Sequence, residues 1–292
     1  MKEILIVSGK GGTGKTSITG AIASLSHNSV FADCDVDAAD LHLILKPETK
    51  EKYEFISGHT ANIIENQCIS CGICLESCRF DAIKKTDNKY MVDPIMCEGC
   101  GVCTWVCQEK AIDFVPSLCG HYYVSDTRFG SMVHAKLSIA AENSGKLVSE
   151  VRRKAREIAS SQKSDYIVID GPPGIGCPVI ASMTGVDSVI VVTEPTVSGV
   201  HDMQRVLDLA KHFSISSYVC INKYDINEDV TAEIAKMLTA RNIPLIGKVP
   251  YDQEITNAQI HKKTIIEFSK SEASKSINEM WNKYINIINN KE

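Results

Sequence analysis

Gly9-Lys10-Gly11-Gly12-Thr13-Gly14-Lys15-Thr16 decides the fold of this chain. The stretch has the spacing G-x-x-x-x-G-K-[ST]. It stands between an all-apolar run, Ile4 to Val7, and a helical pattern, Lys15 to Leu25. Strand, glycine loop and helix in succession is the context in which this pattern cradles phosphate. The glycines let backbone N–H groups turn inward around phosphate oxygens. The helix presents its positive end to the same anion. Gly9, Gly11, Gly12, Thr13 and Gly14 then form the cradle, and Lys15 reaches the β- and γ-phosphates. Thr16 binds Mg²⁺, and Ser17 completes the nucleotide-binding set.

Outward from the loop, strand-like and helix-like segments alternate. Val30-Phe31-Ala32-Asp33 reads as a strand ending in acid, and Leu41 to Leu45 as a short amphipathic stretch. Beyond Pro116, helical patterns at Gly145–Ser160, His201–His212 and Val230–Arg241 alternate with strands at Tyr166–Asp170, Ser188–Thr193, Tyr218–Ile221 and Leu245–Val249. Another helix is expected from Pro178 to Met183. Such alternation implies an α/β fold with a doubly wound, mostly parallel sheet covered on both faces. Ile277, Met280, Trp281, Tyr284, Ile285 and Ile288 recur at helical spacing near the C-terminus. They predict a closing helix packed on the domain, because the segment lacks the strong basic face of a membrane-surface helix.

The chain has 292 residues, 44% of them hydrophobic and 23% charged, with a net charge of -5. That length suits one large α/β domain plus a small insert, or two domains. The acidic balance argues against coating nucleic acid, so no nucleic-acid partner is expected. Met1 to Val7 is too short in its apolar run for a signal peptide, and no segment approaches the length of a membrane span. The expected location is the cytoplasm, where thiols stay reduced. The twelve cysteines are therefore read as metal ligands and buried thiols.

Eight of them form two ladders, Cys68-x-x-Cys71-x-x-Cys74-x-x-x-Cys78 and Cys97-x-x-Cys100-x-x-Cys103-x-x-x-Cys107. A shift of 29 residues superimposes Cys68, Cys71, Gly72, Cys74, Cys78, Ala82 and Ile83 on Cys97, Cys100, Gly101, Cys103, Cys107, Ala111 and Ile112. This duplication points to a pseudo-two-fold insert, placed at 60–116 between flanking parts of the first domain at 1–59 and 117–292. The segment resembles a two-cluster 4Fe-4S ferredoxin, in which the fourth cysteine of each run serves the other cluster. The resemblance assigns Cys68, Cys71, Cys74 and Cys107 to one cluster, and Cys78, Cys97, Cys100 and Cys103 to the second. Arg79 and Gln108 stand where that family usually has proline. Zinc fits less well, because zinc sites use pairs of C-x-x-C and need no third cysteine in each run.

Lys10, a second lysine near the start of the loop, resembles the deviant loop of the MinD/ParA-type P-loop ATPases. The likeness continues through Asp33-Cys34-Asp35-Val36-Asp37, Asp170-Gly171-Pro172-Pro173-Gly174, Thr193-Glu194-Pro195-Thr196 and Val249-Pro250-Tyr251-Asp252. It implies that Lys10 reaches a partner subunit's nucleotide, acting as an arginine finger does. It also implies that Asp35 orients the attacking water and lies near Mg²⁺, and that Asp170 holds Mg²⁺. Asp40 stands where many relatives have asparagine. Asn222-Lys223-Tyr224-Asp225 has the form of a guanine-reading motif, yet in this family the matching Asn222 contacts adenine and Pro250 lines the base. ATP is thus favoured over GTP.

Four cysteines remain. Cys34 and Cys220 read as buried small hydrophobes. Cys177 lies seven residues after Asp170, the offset of a bridging-cluster cysteine in the nitrogenase iron protein. Packing, or an extra metal site with Cys119, are both open for it. Glu142-Asn143-Ser144-Gly145-Lys146 reads as a helix cap, and His121, Tyr122, Tyr123 and His134 as packing residues.

The whole chain resembles MinD-superfamily ATPases that carry an inserted ferredoxin domain. That implies ATP, Mg²⁺ and two 4Fe-4S clusters, and an ATP-dependent homodimer or a dimer with a close paralogue. The expected activity is ATP hydrolysis coupled to assembly or transfer of an iron–sulfur or other metal cofactor, with a client metalloprotein or redox protein as partner. ATP-gated electron transfer is the alternative, and positioning as in ParA and MinD a third. Stable membrane insertion is not expected.

Overall fold

The apolar run at the N-terminus forms β1 (Lys2–Ser8), buried from Glu3 to Ser8. The computed structural model describes residues 1–87, 89–138 and 144–290. After the glycine loop come α1 (Lys15–Leu25), β2 (Ser29–Asp33), α2 (Leu41–Leu45) and β3 (Glu48–Ile63). The cysteine-rich part holds α3 (Ile73–Ser77), β4 (Ile83–Thr86), β5 (Lys89–Val92) and α4 (Val102–Val106), and leads into β6 (Ile112–Thr127) and β7 (Gly130–Leu137). Alternation then resumes through α5 (Ser144–Gln162), β8 (Tyr166–Pro173), α6 (Cys177–Met183), β9 (Ser188–Thr193), α7 (Val197–His212) and β10 (Ser216–Asn222). The chain ends with α8 (Glu228–Ala240), β11 (Leu245–Val249), α9 (Gln253–Ile260), α10 (Ile265–Phe268) and α11 (Glu272–Asn289).

Nine strands form one sheet in the order β11-β10-β9-β1-β8-β2-β7-β6-β3. β1 pairs in parallel with β8 and β9, β2 with β7 and β8, and β10 with β9 and β11. Strands covered on both faces need continuous apolar runs, and Ile4–Val7, Ile167–Ile169 and Val189–Val192 supply them, all essentially unexposed. The chain steps from β1 towards β2 on one side and later returns from β8 to β9 on the other. A crevice opens outside the carboxyl ends of the strands at such a reversal. The glycine loop, Asp33, Asp170, Thr193 and Asn222 all stand at or beside that edge.

The tail is the closing helix read from its periodicity. Ile277, Met280, Trp281, Tyr284 and Ile288 of α11 are buried in the same core as Ile18, Ile22 and Tyr218. Tyr284 Oη lies 2.5 Å from Ser188 Oγ, so its polar end is satisfied inside. Burial pushes the Tyr284 phenol well up.

The chain separates into two compact units. One comprises Met1–Lys52, Tyr122–Lys136 and Ser144–Glu292; the other comprises Tyr53–His121 and the segment from Leu137. β3 and β6 run 16 residues each and carry the chain into and out of the second unit. Within that unit the 29-residue repeat is also a repeat of backbone conformation. Positive φ angles recur at Ser70 and Gly99, at Gly72 and Gly101, and at Asp81 and Lys110. Gly72 and Gly101 sit before α3 and α4 with φ of 84° and 76°, where a side chain would be strained. A Cβ on Gly99 would stand 2.3 Å from the His59 carbonyl oxygen. β4 and β5 form an antiparallel pair.

Candidate functional site

The crevice holds a cavity of ≈ 410 Å³ lined by the glycine loop from Gly11 to Ser17, by Asp35 and Asp40, and by Asn222, Lys223, Pro250 and Tyr251. α9 adds Ile255, Thr256 and Gln259 to its wall. Gly14 has φ 86° and precedes α1, so the loop's N–H groups and the helix end meet the same space. Lys15 is 6% exposed, with Nζ 2.9 Å from Asp170 Oδ1 and 3.4 Å from Asp35 Oδ2. Thr16 Oγ1 donates to Asp170 Oδ2 at 2.8 Å, and Thr19 Oγ1 donates to Asp170 Oδ1 at 2.9 Å. Asp170 itself is fully buried.

Three carboxylates thus face one ammonium. Asp33 and Asp170 are register partners on adjacent strands. Asp33 is also fully buried; its Oδ1 accepts from Asp35 N–H and its Oδ2 from Leu41 N–H. Burial, with Asp170 adding to it, pushes the Asp33 carboxyl well up against the opposing pull of Lys15. Burial raises Asp35 as well. For Lys15 burial alone would favour the neutral amine, but Asp170 and Asp35 outweigh it and the ammonium is held above its ordinary value.

Lys10 lies outside the cavity lining. Its Nζ is 2.6 Å from Glu194 Oε1, 3.2 Å from Ser198 Oγ and 3.4 Å from Thr196 Oγ1. Lys223 Nζ approaches Glu194 Oε2 at 3.3 Å and the Gly12 carbonyl at 3.2 Å. Burial would raise the Glu194 carboxyl, yet Lys10 and Lys223 together hold it below its ordinary value.

On the cavity wall beside the glycine loop, Asn222 Nδ2 donates to the Thr13 carbonyl at 2.8 Å, while its buried Oδ1 has no protein partner. The Asp225 carboxylate accepts from Tyr251 N–H at 2.7 Å, which ties it to the Pro250 segment rather than to the cavity wall.

The eight ladder cysteines carry no disulfides and gather around two further cavities. Cys68, Cys71, Cys74 and Cys107 line one, between apolar walls that include Ile63, Ile73 and Ile112. Cys78, Cys97, Cys100 and Cys103 line the other, with Ile83, Val102 and Phe114. Each cavity takes three sulfurs from one ladder and one from the other. Ala111 N–H donates to Cys107 Sγ at 3.3 Å. The repeat-equivalent Cys74 and Cys103 thiols are both pushed up, first by burial. Among the described residues, no three His, Cys, Asp or Glu side chains form a group that could hold a single metal ion.

Several residues fall elsewhere. Gly9 packs against Asp202, where a Cβ would meet backbone at 2.5 Å. Cys177 is exposed at the start of α6, beside Gly145. Cys119 is buried, and its thiol donates to the Ser57 carbonyl at 3.0 Å. Cys34 and Cys220 are buried, and burial pushes Cys220 up to about 12. Glu142 and Asn143 lie outside the described residues; Ser144 begins α5. His134 stacks between Tyr123 and His42, with ring centroids 5.2 and 6.2 Å away.

Sequence reasoning assigned no role to Asp33, Thr19, Glu194 or α9. Thr19 could have been found from its position one helical turn beyond Lys15, and Asp33 from an acid closing an apolar strand.

The family model described as CobQ/CobB/MinD/ParA nucleotide binding domain matches residues 4–265. An uncharacterized protein of Methanocaldococcus jannaschii is 32% identical over 286 residues, covering 96% of this chain and 95% of its own. The septum site-determining protein MinD of Bacillus subtilis is 24% identical over 282 residues, covering 94% and 85%. Among solved structures, MinD complexed with Mg-ADP from Pyrococcus horikoshii superposes with a TM-score of 0.59 at 18% identity, covering 100% of this chain and 98% of that one. The MinC:MinD cell division complex of Aquifex aeolicus gives 0.60 at 19% identity, covering 98% and 96%.

Proposed function

The chain belongs to the CobQ/CobB/MinD/ParA nucleotide-binding family, and from that premise we propose that it is an ATPase whose nucleotide-driven dimer switching is coupled to assembly or transfer of an iron–sulfur or other metal cofactor. P-loop ATPases of the MinD/ParA type hydrolyse ATP, and a MinD relative is known with Mg-ADP bound. The loop from Gly11 to Ser17 receives the phosphates. Lys15 moves its ammonium from Asp170 and Asp35 to phosphate oxygens, which releases both carboxylates. Thr16 and Asp170, already hydrogen-bonded to each other, fit Mg²⁺, with Asp35 adjacent. The metal supplies neutralisation of phosphate charge. Asp35, two residues from the buried Asp33, orients the attacking water.

The orphaned Asn222 Oδ1 is an acceptor waiting for a donor, which suits the amino group of adenine. Engagement of Asp225 by Tyr251 N–H leaves the guanine reading without its carboxylate. Lys10 completes the site of a second copy after parting from Glu194. Charge delivered to a phosphoryl transition state in this way is worth about 10³–10⁵ in rate.

One observation carries the metal half of the proposal. Eight thiols sort into two apolar-walled cavities in a crossed three-plus-one grouping, on the polypeptide that also holds the phosphate loop. The donor set fits a pair of four-iron clusters. A lone tetrahedral ion bonds each sulfur at about 2.3 Å and draws its ligands tightly together, whereas a cluster fills the space between them. Bound clusters would supply redox or transferable-metal chemistry. The residues here hold them, wall them with isoleucine, and donate from Ala111 N–H to Cys107 sulfur. Residues 60–116 are the ferredoxin-like insert of this reading.

ATP-gated electron exchange is the second reading. It is favoured because only Cys71 and Cys100 of the eight thiols are exposed, an arrangement that retains clusters. No cysteine pair follows Cys220 to serve as a donor scaffold. Anaerobic purification with iron and sulfide analysis and EPR, with and without ATP, tests the proposal. About eight irons per chain are expected. An iron-free chain after anaerobic reconstitution would overturn the metal half. Loss of iron to an apo-acceptor on hydrolysis selects transfer, and retention with a changed redox state selects electron exchange.

A further inference from the structure

Trp105 is 82% exposed, on α4 between Cys103 and Cys107. Tryptophan is large and apolar, and leaving it in water sacrifices more burial than leaving any other side chain there. Among the described residues, twelve of the nineteen exposed large apolar side chains lie between Tyr53 and His121, in much the smaller of the two units. A small unit has little core, so scattered exposed apolar groups alone would be ordinary. The duplication decides the matter. The repeat-equivalent of Trp105 on α3 is Glu76, and α3 forms with the same glycine cap and the same two hydrogen bonds to the glycine carbonyl. The fold therefore does not require an indole at this position.

Charge indicates what covers it. Between Tyr53 and His121 stand nine carboxylates and five basic side chains. Two of the five are paired inside the unit, Lys84 with Asp93 and Lys89 with Glu65. The unit is net acidic, so a second copy of it would meet like charge, as would an anionic lipid surface. An exposed apolar side chain on a net-acidic unit is complementary to an apolar group on a net-basic partner.

We propose that the face carrying Trp105 is the docking surface for a net-basic protein partner that presents an apolar pocket, with the indole filling that pocket. The proposal rests on the reading above, since it takes the thiol-bearing unit as the one that meets a client. Aromatic anchors of this kind carry a large share of interface energy, and the net negative charge of the unit governs association rate and salt dependence.

The probe is a synthetic peptide with a short apolar centre of leucine and phenylalanine flanked on both sides by lysines. Binding to the full chain is followed by titration calorimetry and by the change in emission of the exposed indole. The expected result is binding that weakens steeply with added salt and falls about tenfold or more in Trp105→Ala. Trp105→Phe should retain most of the affinity, and Trp105→Glu, which copies Glu76, should lose as much as alanine. Folding of each variant is checked through unchanged ATP binding and unchanged emission from the buried Trp281. Equal affinity of Trp105→Ala and the parent chain would overturn the proposal. So would self-association, or binding to phosphatidylglycerol vesicles, that is lost in Trp105→Ala. Iron and sulfide are measured on the same samples. Their absence would refute the metal reading while leaving the docking result to stand.

Discussion

Lys15→Met should destabilise the nucleotide-free protein as well as abolish turnover. The ammonium stands 2.9 Å from Asp170 and 3.4 Å from Asp35. At an effective dielectric near 20 these separations correspond to roughly 6 and 5 kcal/mol of gross attraction. Desolvation of the three groups cancels much of that, and removing one partner of a buried pair typically leaves a net loss of about 3–5 kcal/mol. For a unit of this size the fall in Tm is on the order of 10 °C.

The loss must depend on pH in a particular direction. Asp33 and Asp35 already have raised folded-state values. A carboxyl raised on folding binds more protons in the native state, so its contribution grows as pH falls towards the unfolded value. Without Lys15 the carboxyls rise further, and protonation relieves the repulsion. The deficit of Lys15→Met against the parent chain should therefore shrink between pH 7.5 and 5.5. Urea unfolding followed through the buried Trp281, in a Trp105→Phe background, measures it without interference from the exposed indole. A variant as stable as the parent at pH 7.5, or a deficit that widens on acidification, would refute the electrostatic account of this cluster.

The other predictions are more direct. Lys10→Ala should keep nucleotide affinity within a few-fold while hydrolysis falls about 10³-fold or more, checked by phosphate release across a range of protein concentrations. His134 is held down at about 4 by burial and by His42. A depressed value contributes stability above the unfolded pKa near 6.5 and loses it as pH falls, so acidification from 7.5 to 5.5 should remove about 1.3 kcal/mol that His134→Gln does not lose, measured by the pH dependence of urea midpoints. Trp281→Ala, which empties a site in the core beneath α11, should lower stability by about 3–5 kcal/mol in the same assay.

What could be read before the structure follows the strength of the local signal. β1, β8 and β9 are continuous apolar runs, and the glycine loop has a fixed spacing, so these needed no tertiary information. β3 gave no signal because Glu48 to Glu54 is polar, and its burial pattern alternates only from Phe55 onward. β6 and β7 went unread for a related reason: Tyr123 and His134 pack by stacking, which leaves no period in the sequence. The cysteine ladders state their own symmetry, and its backbone counterpart at Ser70 and Gly99 is visible only once φ is known. The cis engagement of Lys10 by Glu194 joins residues 184 positions apart, and no spacing rule spans that distance.

Asp33 shows how the parts of the nucleotide edge act on one another. Its two oxygens accept from Asp35 N–H and Leu41 N–H, so one carboxylate at the end of β2 fixes both ends of the loop that carries Asp35 and Asp40. The same residue is the register partner of Asp170, which holds Lys15, Thr16 and Thr19. Withdrawal of Lys15 to a phosphate removes the cation that offsets both acids. Either a second cation enters beside Thr16 and Asp170, or a proton is taken up at Asp33. The loop from Asp35 to Leu41 hangs on the charge of Asp33, so its position is tied to which of these occurs. Asp33→Asn keeps an acceptor for only one of the two N–H groups and removes the charge. It should therefore leave Asp35 misplaced and hydrolysis impaired with nucleotide still bound. Hydrolysis equal to that of the parent chain would show that the loop is held by other means.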